Sequence, residues 1–256
     1  MRKWIVIVVL SVFLLPLATH GIWWQMREHP RSWAVADWSS AGILPAPQAD
    51  KGAAVYVMAG RTGRWKGIFA HHMWLVTKAR DGKRYRRYEV VGWGRALRVD
   101  LRAPDGRWYG NDPSIILALK GEQAERALPR IARAIAAYPY GGRSVYSVWP
   151  GPNSNTFIAH VARQVPELAV ALVPTAIGKD YARWPGYVGW SPSRTGVQLS
   201  LGGVLGVTVG WVEGVEVNLF GLVAGIDVRS PALKIPGWGR IDLNLAAVRR
   251  SLHGAL

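Results

Sequence analysis

The sequence predicts an α+β fold: an antiparallel sheet with flanking helices, an N-terminal membrane helix and a Gly-rich β extension. Three observations lead to this prediction. An uncharged run covers residues 4–26, apolar segments of strand length separated by turn signals begin after residue 50, and helical patterns follow those strands. With 256 residues, the chain is long enough to bury a core in one large domain or two small ones.

The uncharged N-terminal run predicts a membrane anchor over residues 1–26. As a helix, residues 4–26 extend about 34 Å, which is enough to cross a bilayer. Trp23 and Trp24 lie at its far end, where an aromatic belt is expected. A cleavable signal peptide is the alternative, but Ala18-Thr19-His20 is a poor cleavage site because it ends on His. We therefore predict an uncleaved anchor whose N-terminal position favours export of the main domain.

The remaining chain is predicted to begin with a juxtamembrane linker, residues 27–50, which contains three prolines and little periodicity. Strands are predicted over residues 53–58, 67–76 and 86–91, the last two joined by a hairpin at Asp81-Gly82. These strands open the predicted main domain, which covers residues 51–195.

Helical segments follow the strands. Asp112 before Pro113 resembles a helix start, which predicts a helix over residues 114–120. Further helices are predicted over residues 122–137 and 156–164. The final predicted region, residues 196–256, combines a Gly-rich β extension with a C-terminal helix, and its strands are indicated by near copies at two places, residues 196–201 and 214–219.

Composition narrows the chemistry. The chain has no cysteine, which excludes disulfides, thiolate zinc sites and a cysteine nucleophile. No metal-ligand spacing is present, so neither a metal nor another cofactor is predicted. The net charge is +16, and basic residues are concentrated between Arg61 and Arg107. This favours anionic lipid or a cell-envelope polymer as partner over nucleic acid, and a solvated basic surface is the plain alternative.

The motif Asn153-Ser154-Asn155-Thr156-Phe157 places a hydroxyl where a Gly/Pro-rich turn leads into a helix. Unpaired N–H groups and the helix dipole favour negative charge there, so Ser154 is a candidate nucleophile. The alternative is that Ser154 only caps the helix. His72 is the predicted general base, and His71 is expected to point to the opposite face of its strand.

The chain resembles a bacterial family of unknown function, DUF3750, over nearly everything after the anchor. The resemblance rests on four segments: the run from Trp149 to Phe157, residues 174–181, the segment Tyr88-Glu89-Val90-Val91-Gly92-Trp93-Gly94, and residues 231–240. Because this family is bacterial, the resemblance implies that the N-terminal helix lies in a bacterial inner membrane. Export of the main domain then implies that it faces the periplasm.

A more distant likeness is to circularly permuted papain-like folds, among them PPPDE peptidases, lecithin:retinol acyltransferases and NlpC-type proteins. These carry a His at a strand start and, later in the chain, an Asn-Cys-Asn-type motif that opens a helix. Here the His strand matches His72, and Ser154 stands at the Cys position. The likeness implies a serine hydrolase, amidase or acyltransferase acting on an amide or ester, or a related groove that only binds anionic lipid or polymer.

Neighbouring residues are candidates for supporting roles. Glu89, on the strand predicted next to that of His72, is the candidate that orients His72, with an ion pair to an arginine as the alternative, and with Ser154 these two form the predicted catalytic set. The N–H groups of Asn155 and Thr156 are predicted to hold the oxyanion. The remaining residues predicted to line the groove are Asn153, Lys179 and Asp180, although a surface salt bridge is the plain interpretation of the last two.

Overall fold

A computed structural model describes residues 2–142 and 145–243 of the chain. They form a mixed α+β structure with two antiparallel sheets and an apolar N-terminal helix, which confirms the predicted fold class at that level. The predicted C-terminal helix lies outside the described residues.

The N-terminal helix, α1 (Arg2–Gln25), is long and apolar enough to cross a membrane, with 24 residues and a mean hydropathy of 2.4 over its most apolar stretch of 18 residues. A π-helical turn at Leu10–Leu14 lies just before Pro16, whose ring nitrogen has no hydrogen to donate. Residues 2–8 of α1 are exposed, whereas Phe13 and Trp24 are buried against the rest of the chain, at 6% and 3% exposure.

The first sheet has the strand order β4-β3-β2-β1-β5. Its strands are β1 (Ala54–Arg61), β2 (His71–Lys78), β3 (Arg86–Val90), β4 (Leu97–Val99) and β5 (Pro113–Lys120). The predicted strand over residues 67–76 begins only at His71, because Arg64–Ile68 forms a 3-10 turn. A Cβ on Gly67 would lie 2.1 Å from Trp24 Cζ2, so the turn holds a glycine against α1.

The predicted helix over residues 114–120 is wrong, since this segment is strand β5. It pairs antiparallel with β1, from Ala54 opposite Lys120 to Gly60 opposite Pro113. Pro113 starts an edge strand, where a missing N–H is tolerated. Helix α2 (Gly121–Ala136) begins directly after it, at a glycine with φ of +55°.

The first sheet is covered on both faces. Helices α2 and α3 (Ser154–Gln164) pack on one face, where Phe157 and Ile158 join Met73 and Leu75 in the larger core. On the other face, Trp74 and Trp108 pack with part of residues 27–50. That segment contains no helix or strand, but it is held down, because Asp105 Oδ2 accepts hydrogen bonds from the backbone N–H groups of residues 43 and 44.

The second sheet is a meander of seven strands in the order β12 to β6. Its strands are β6 (Tyr187–Trp190), β7 (Gly196–Leu201), β8 (Leu205–Gly210), β9 (Gly214–Leu219), β10 (Leu222–Asp227), β11 (Ala232–Ile235) and β12 (Gly239–Asp242). The two near-copy segments are β7 and β9, so they are strands as predicted. Polar side chains of this sheet face the part of the chain that carries the first sheet, and apolar side chains face outward.

Candidate active site

A cavity of about 1160 Å³ lies where β2 and α3 both begin. Its wall includes His71, His72 and Ser154, and also Leu17 from the N-terminal helix. The strand start and the helix start that the sequence singled out therefore border one space, next to the apolar helix.

Asn153, not Ser154, is the N-cap of α3. Its Oδ1 accepts hydrogen bonds from the N–H groups of Asn155 at 2.9 Å and Thr156 at 3.2 Å, and Thr156 Oγ1 accepts from the Asn153 N–H in return. The cap therefore engages both N–H groups that were predicted to hold the oxyanion. Asn153 borders the cavity and also caps the helix that carries Ser154.

Ser154 occupies the first helical position and is 3% exposed. Neither its hydroxyl nor its backbone N–H makes a hydrogen bond with another residue of the described ranges, and the residue lines the cavity. Asn155 beside it donates from Nδ2 to the backbone carbonyls of His71 (2.9 Å) and Ile177 (2.7 Å), which ties the start of α3 to the start of β2. Neighbouring residues thus hold Ser154 in place, while its hydroxyl and its backbone N–H have no hydrogen-bond partner among the described residues.

The two histidines lie on opposite faces of β2, and the face that carries α3 is that of His71. Met73 and Leu75, which alternate with His71, belong to the core that contains α3. His71 Nδ1 and Thr175 Oγ1 are 2.7 Å apart. Burial and the nearby Arg61 lower the pKa of His71 to about 3, so its imidazole is neutral at physiological pH.

His72 occupies the other face, within a buried charged cluster. Its Nε2 lies 2.9 Å from Glu89 Oε2, and its ring stacks on Trp108 with centroids 3.6 Å apart. Arg87 contacts the same carboxylate at 2.9 and 3.0 Å. Burial lowers the pKa of His72. Burial alone would raise the pKa of Glu89, but hydrogen bonding to His72 and the charge of Arg87 outweigh burial and lower that pKa. Glu89 is therefore an ionised partner of His72, on the side of the strand away from α3.

Lys179 and Asp180 do not line the cavity. Lys179 Nζ contacts Asp180 Oδ1 at 2.8 Å and Glu216 Oε2 at 2.6 Å, and all three side chains are buried. Burial lowers the pKa of Lys179, but the two carboxylates outweigh it and raise that pKa above its usual value. The pair joins the segment before β6 to the second sheet and lies outside the cavity that His71 and Ser154 border. Glu216, the second acid that contacts Lys179, is distant in sequence, and no local pattern indicated this contact.

The cavity also has a cationic and aromatic wall that no motif predicted as a unit. Its cationic residues are Arg31, Arg64 and Lys66, and its tryptophans are Trp33, Trp65, Trp93, Trp108 and Trp149. The basic run and the 14 tryptophans of the chain were the available signals, but neither indicated which members converge. Within residues 2–142 and 145–243, no group of three or more His, Cys, Asp or Glu side chains is placed to hold a metal ion.

Comparison with known proteins gives one match. A family model described as a protein of unknown function (DUF3750) matches residues 52–181, which span the first sheet, both packing helices and Asp180. No curated protein and no solved structure matches the chain.

Proposed function

The chain belongs to the DUF3750 family, and from the geometry of its cavity we propose that it is a membrane-anchored serine hydrolase or acyltransferase of permuted papain-like type. The observation that carries the proposal is Ser154. Its hydroxyl lies at the first position of a capped helix, borders a cavity and has no hydrogen-bond partner in the described chain. A serine in that position is suited to nucleophilic attack when a base is near.

The proposed base is His71, which replaces the predicted His72. His71 shares the sheet face of α3, and Asn155 fixes the backbone of His71 to that helix. With Nδ1 donating to Thr175 Oγ1, Nε2 carries the lone pair that a base needs. The lowered pKa of His71 keeps this nitrogen unprotonated.

The proposed reaction has two stages. Ser154 Oγ attacks the carbonyl carbon of an ester or amide while His71 Nε2 takes the hydroxyl proton. The bond to the alcohol or amine breaks, and that leaving group receives the proton. Water in a hydrolase, or a second alcohol or amine in an acyltransferase, then attacks the acyl-serine and releases Ser154.

The oxyanion of each stage is proposed to bind the Ser154 N–H at the start of α3. This N–H is uncommitted among the described residues, and it lies at the positive end of the helix dipole. We propose that His72 and Glu89 act behind the site, where the stacked Trp108 and the buried carboxylate hold the start of β2.

The proposed location is the bacterial inner membrane, with the main domain on the periplasmic side. The length and apolar character of α1 support an anchor, and its position at the N-terminus favours export.

Labelling of the full-length protein in detergent with a fluorophosphonate probe tests the proposal. We expect the wild type to be labelled, Ser154→Ala to be unlabelled and His71→Gln to be labelled far more slowly, whereas His72→Gln retains labelling. Circular dichroism of each variant controls for folding. Labelling of Ser154→Ala at the wild-type rate contradicts the nucleophile. Loss in His72→Gln with retention in His71→Gln restores His72 as the base.

A second candidate function is binding of an anionic amphiphile without catalysis. The wall of Arg64, Lys66 and Trp65 favours it, because cations attract the head group and the aromatic ring suits an apolar chain. In that case no variant is labelled, and short-chain phosphatidylglycerol binds the wild type and Ser154→Ala equally. Arg64→Gln combined with Lys66→Gln then weakens this binding.

A further inference from the structure

The second sheet has its polar side chains inside and its apolar side chains outside. On β7, β8 and β9 the inward positions carry Gln198, Thr208, Glu216 and Asn218, all buried. The outward positions are aliphatic and exposed, with Val197 at 60%, Leu199 at 47% and Val209 at 47%. An antiparallel sheet with one solvated face normally shows the opposite pattern, since water favours polar side chains.

The apolar outward face is continuous across neighbouring strands. Leu199 is opposite Val207, and Val207 is opposite Val217 on the next strand. Val217 in turn is opposite Ala224 on β10, and Ile226 continues the face to Leu233 on β11. A contiguous apolar surface of this kind marks an interaction site.

The N-terminal helix meets this same face. The turn Leu10–Leu14 contacts β10, and Leu17 borders the cavity beside Leu222. Ala224 is outward but only 8% exposed, unlike its strand neighbour Ile226 at 47%. The helix therefore covers part of the outward face and leaves the rest of it beside its own exposed apolar side chains.

From this continuity we propose that the outward face of the second sheet lies against the hydrocarbon of the bilayer that α1 crosses. A helix of this length extends about 36 Å, and β10 contacts it near its middle. A bilayer that surrounds α1 therefore meets the outward face as well. The exposed Trp190 and Trp211 at one end of the strands and Trp238 at the other are residue types that favour the membrane interface. This inference is independent of any reaction at Ser154.

The absence of native cysteine allows a direct test with single-cysteine variants of the full chain. Leu199→Cys, Val207→Cys and Val217→Cys report on the outward face. Ile115→Cys is the matched control, because it is an aliphatic strand residue of the first sheet with 41% exposure. Each variant is labelled with a polarity-sensitive fluorophore and placed in phosphatidylcholine–phosphatidylglycerol vesicles. Quenching by doxyl-labelled lipid is then compared with quenching by aqueous iodide.

At the three sheet positions we expect blue-shifted emission, strong quenching by doxyl lipid and weak quenching by iodide, with the reverse at Ile115. Iodide quenching of the sheet positions equal to that of the control overturns the proposal. Energy transfer between labelled copies, together with protection from both quenchers, also overturns it, because a second copy would then cover the face. Circular dichroism of each labelled variant establishes that the fold is retained.

Discussion

His71 and His72 are adjacent, yet strand alternation gives them different surroundings. His71 is on the side of α3 and contacts Thr175, whereas His72 is enclosed by Glu89 and Trp108. Burial keeps both imidazoles neutral in the folded protein, because it lowers the pKa of each ring. In the unfolded chain these rings take up protons near pH 6.5, so folding excludes protons that the unfolded state binds.

Stability is therefore expected to fall on acidification from pH 7 to pH 5. Because the pKa of His71 is about 3 when folded, its share of the loss is about 2 kcal/mol over this interval. His71→Gln removes that share and flattens the curve of unfolding free energy against pH, measured by denaturant titration in detergent. Thr175→Ala is the control, since it alters the same contact without removing a titrating group. An unchanged curve for His71→Gln shows that this ring is not buried as a neutral group.

At the scale of elements, the start of α3 depends on Asn153. Its Oδ1 caps the helix, and its Nδ2 donates to the carbonyls of Val148 and Ile177, each at 3.0 Å. Asn153→Ala removes the cap, worth about 1 kcal/mol, and because the N–H groups of Asn155 and Thr156 are buried, the loss of their acceptor adds a cost of about 1–3 kcal/mol.

We expect Asn153→Ala to destabilise the protein by roughly 2–4 kcal/mol, measured as a shift of the denaturant midpoint. Asn153→Ser is the matched variant, because its hydroxyl keeps an acceptor for the cap, adds no charge and loses only the amide donor to the carbonyls of Val148 and Ile177. Its loss should be smaller. Equal losses in the two variants would indicate that the cap itself contributes little.

Local pattern predicted five of the twelve strands in the described part of the chain and the two helices α2 and α3. Alternating residues identified β7 and β9, an apolar run identified β1, and the hairpin signal at Asp81-Gly82 identified β3. Strand β5 was not predicted, because Asp112-Pro113 is typical of a helix start and the strand depends on pairing with β1, which is distant in sequence. In the site, the turn before α3 indicated Ser154. The choice between the two histidines depends on which sheet face α3 covers, and this is a property of tertiary packing.

At the scale of the whole molecule, side-chain contacts join three parts: the first sheet with its helices, the second sheet and helix α1. Glu216 of the second sheet contacts both Lys179, which lies between α3 and β6, and Lys234 of β11. Helix α1 is docked by Trp24, whose Nε1 donates to the Arg64 carbonyl at 2.9 Å, and by Trp238, whose Nε1 donates to Thr19 Oγ1. The cavity wall includes Leu17, so docking of α1 also shapes the candidate site.

Trp24→Ala is expected to undock the second half of α1 from the rest of the chain. The side chain is 3% exposed against the Gly67 turn, and truncation of a buried tryptophan costs about 3–5 kcal/mol. Trp23→Ala is the matched control, because that neighbour is 38% exposed. Hydrogen exchange of the full-length protein in detergent should then be faster in Arg64–Ile68 for Trp24→Ala only, with β1 unchanged. Equal exchange in both variants would mean that α1 and the domain are joined without this side chain, so the wall at Leu17 would not depend on it.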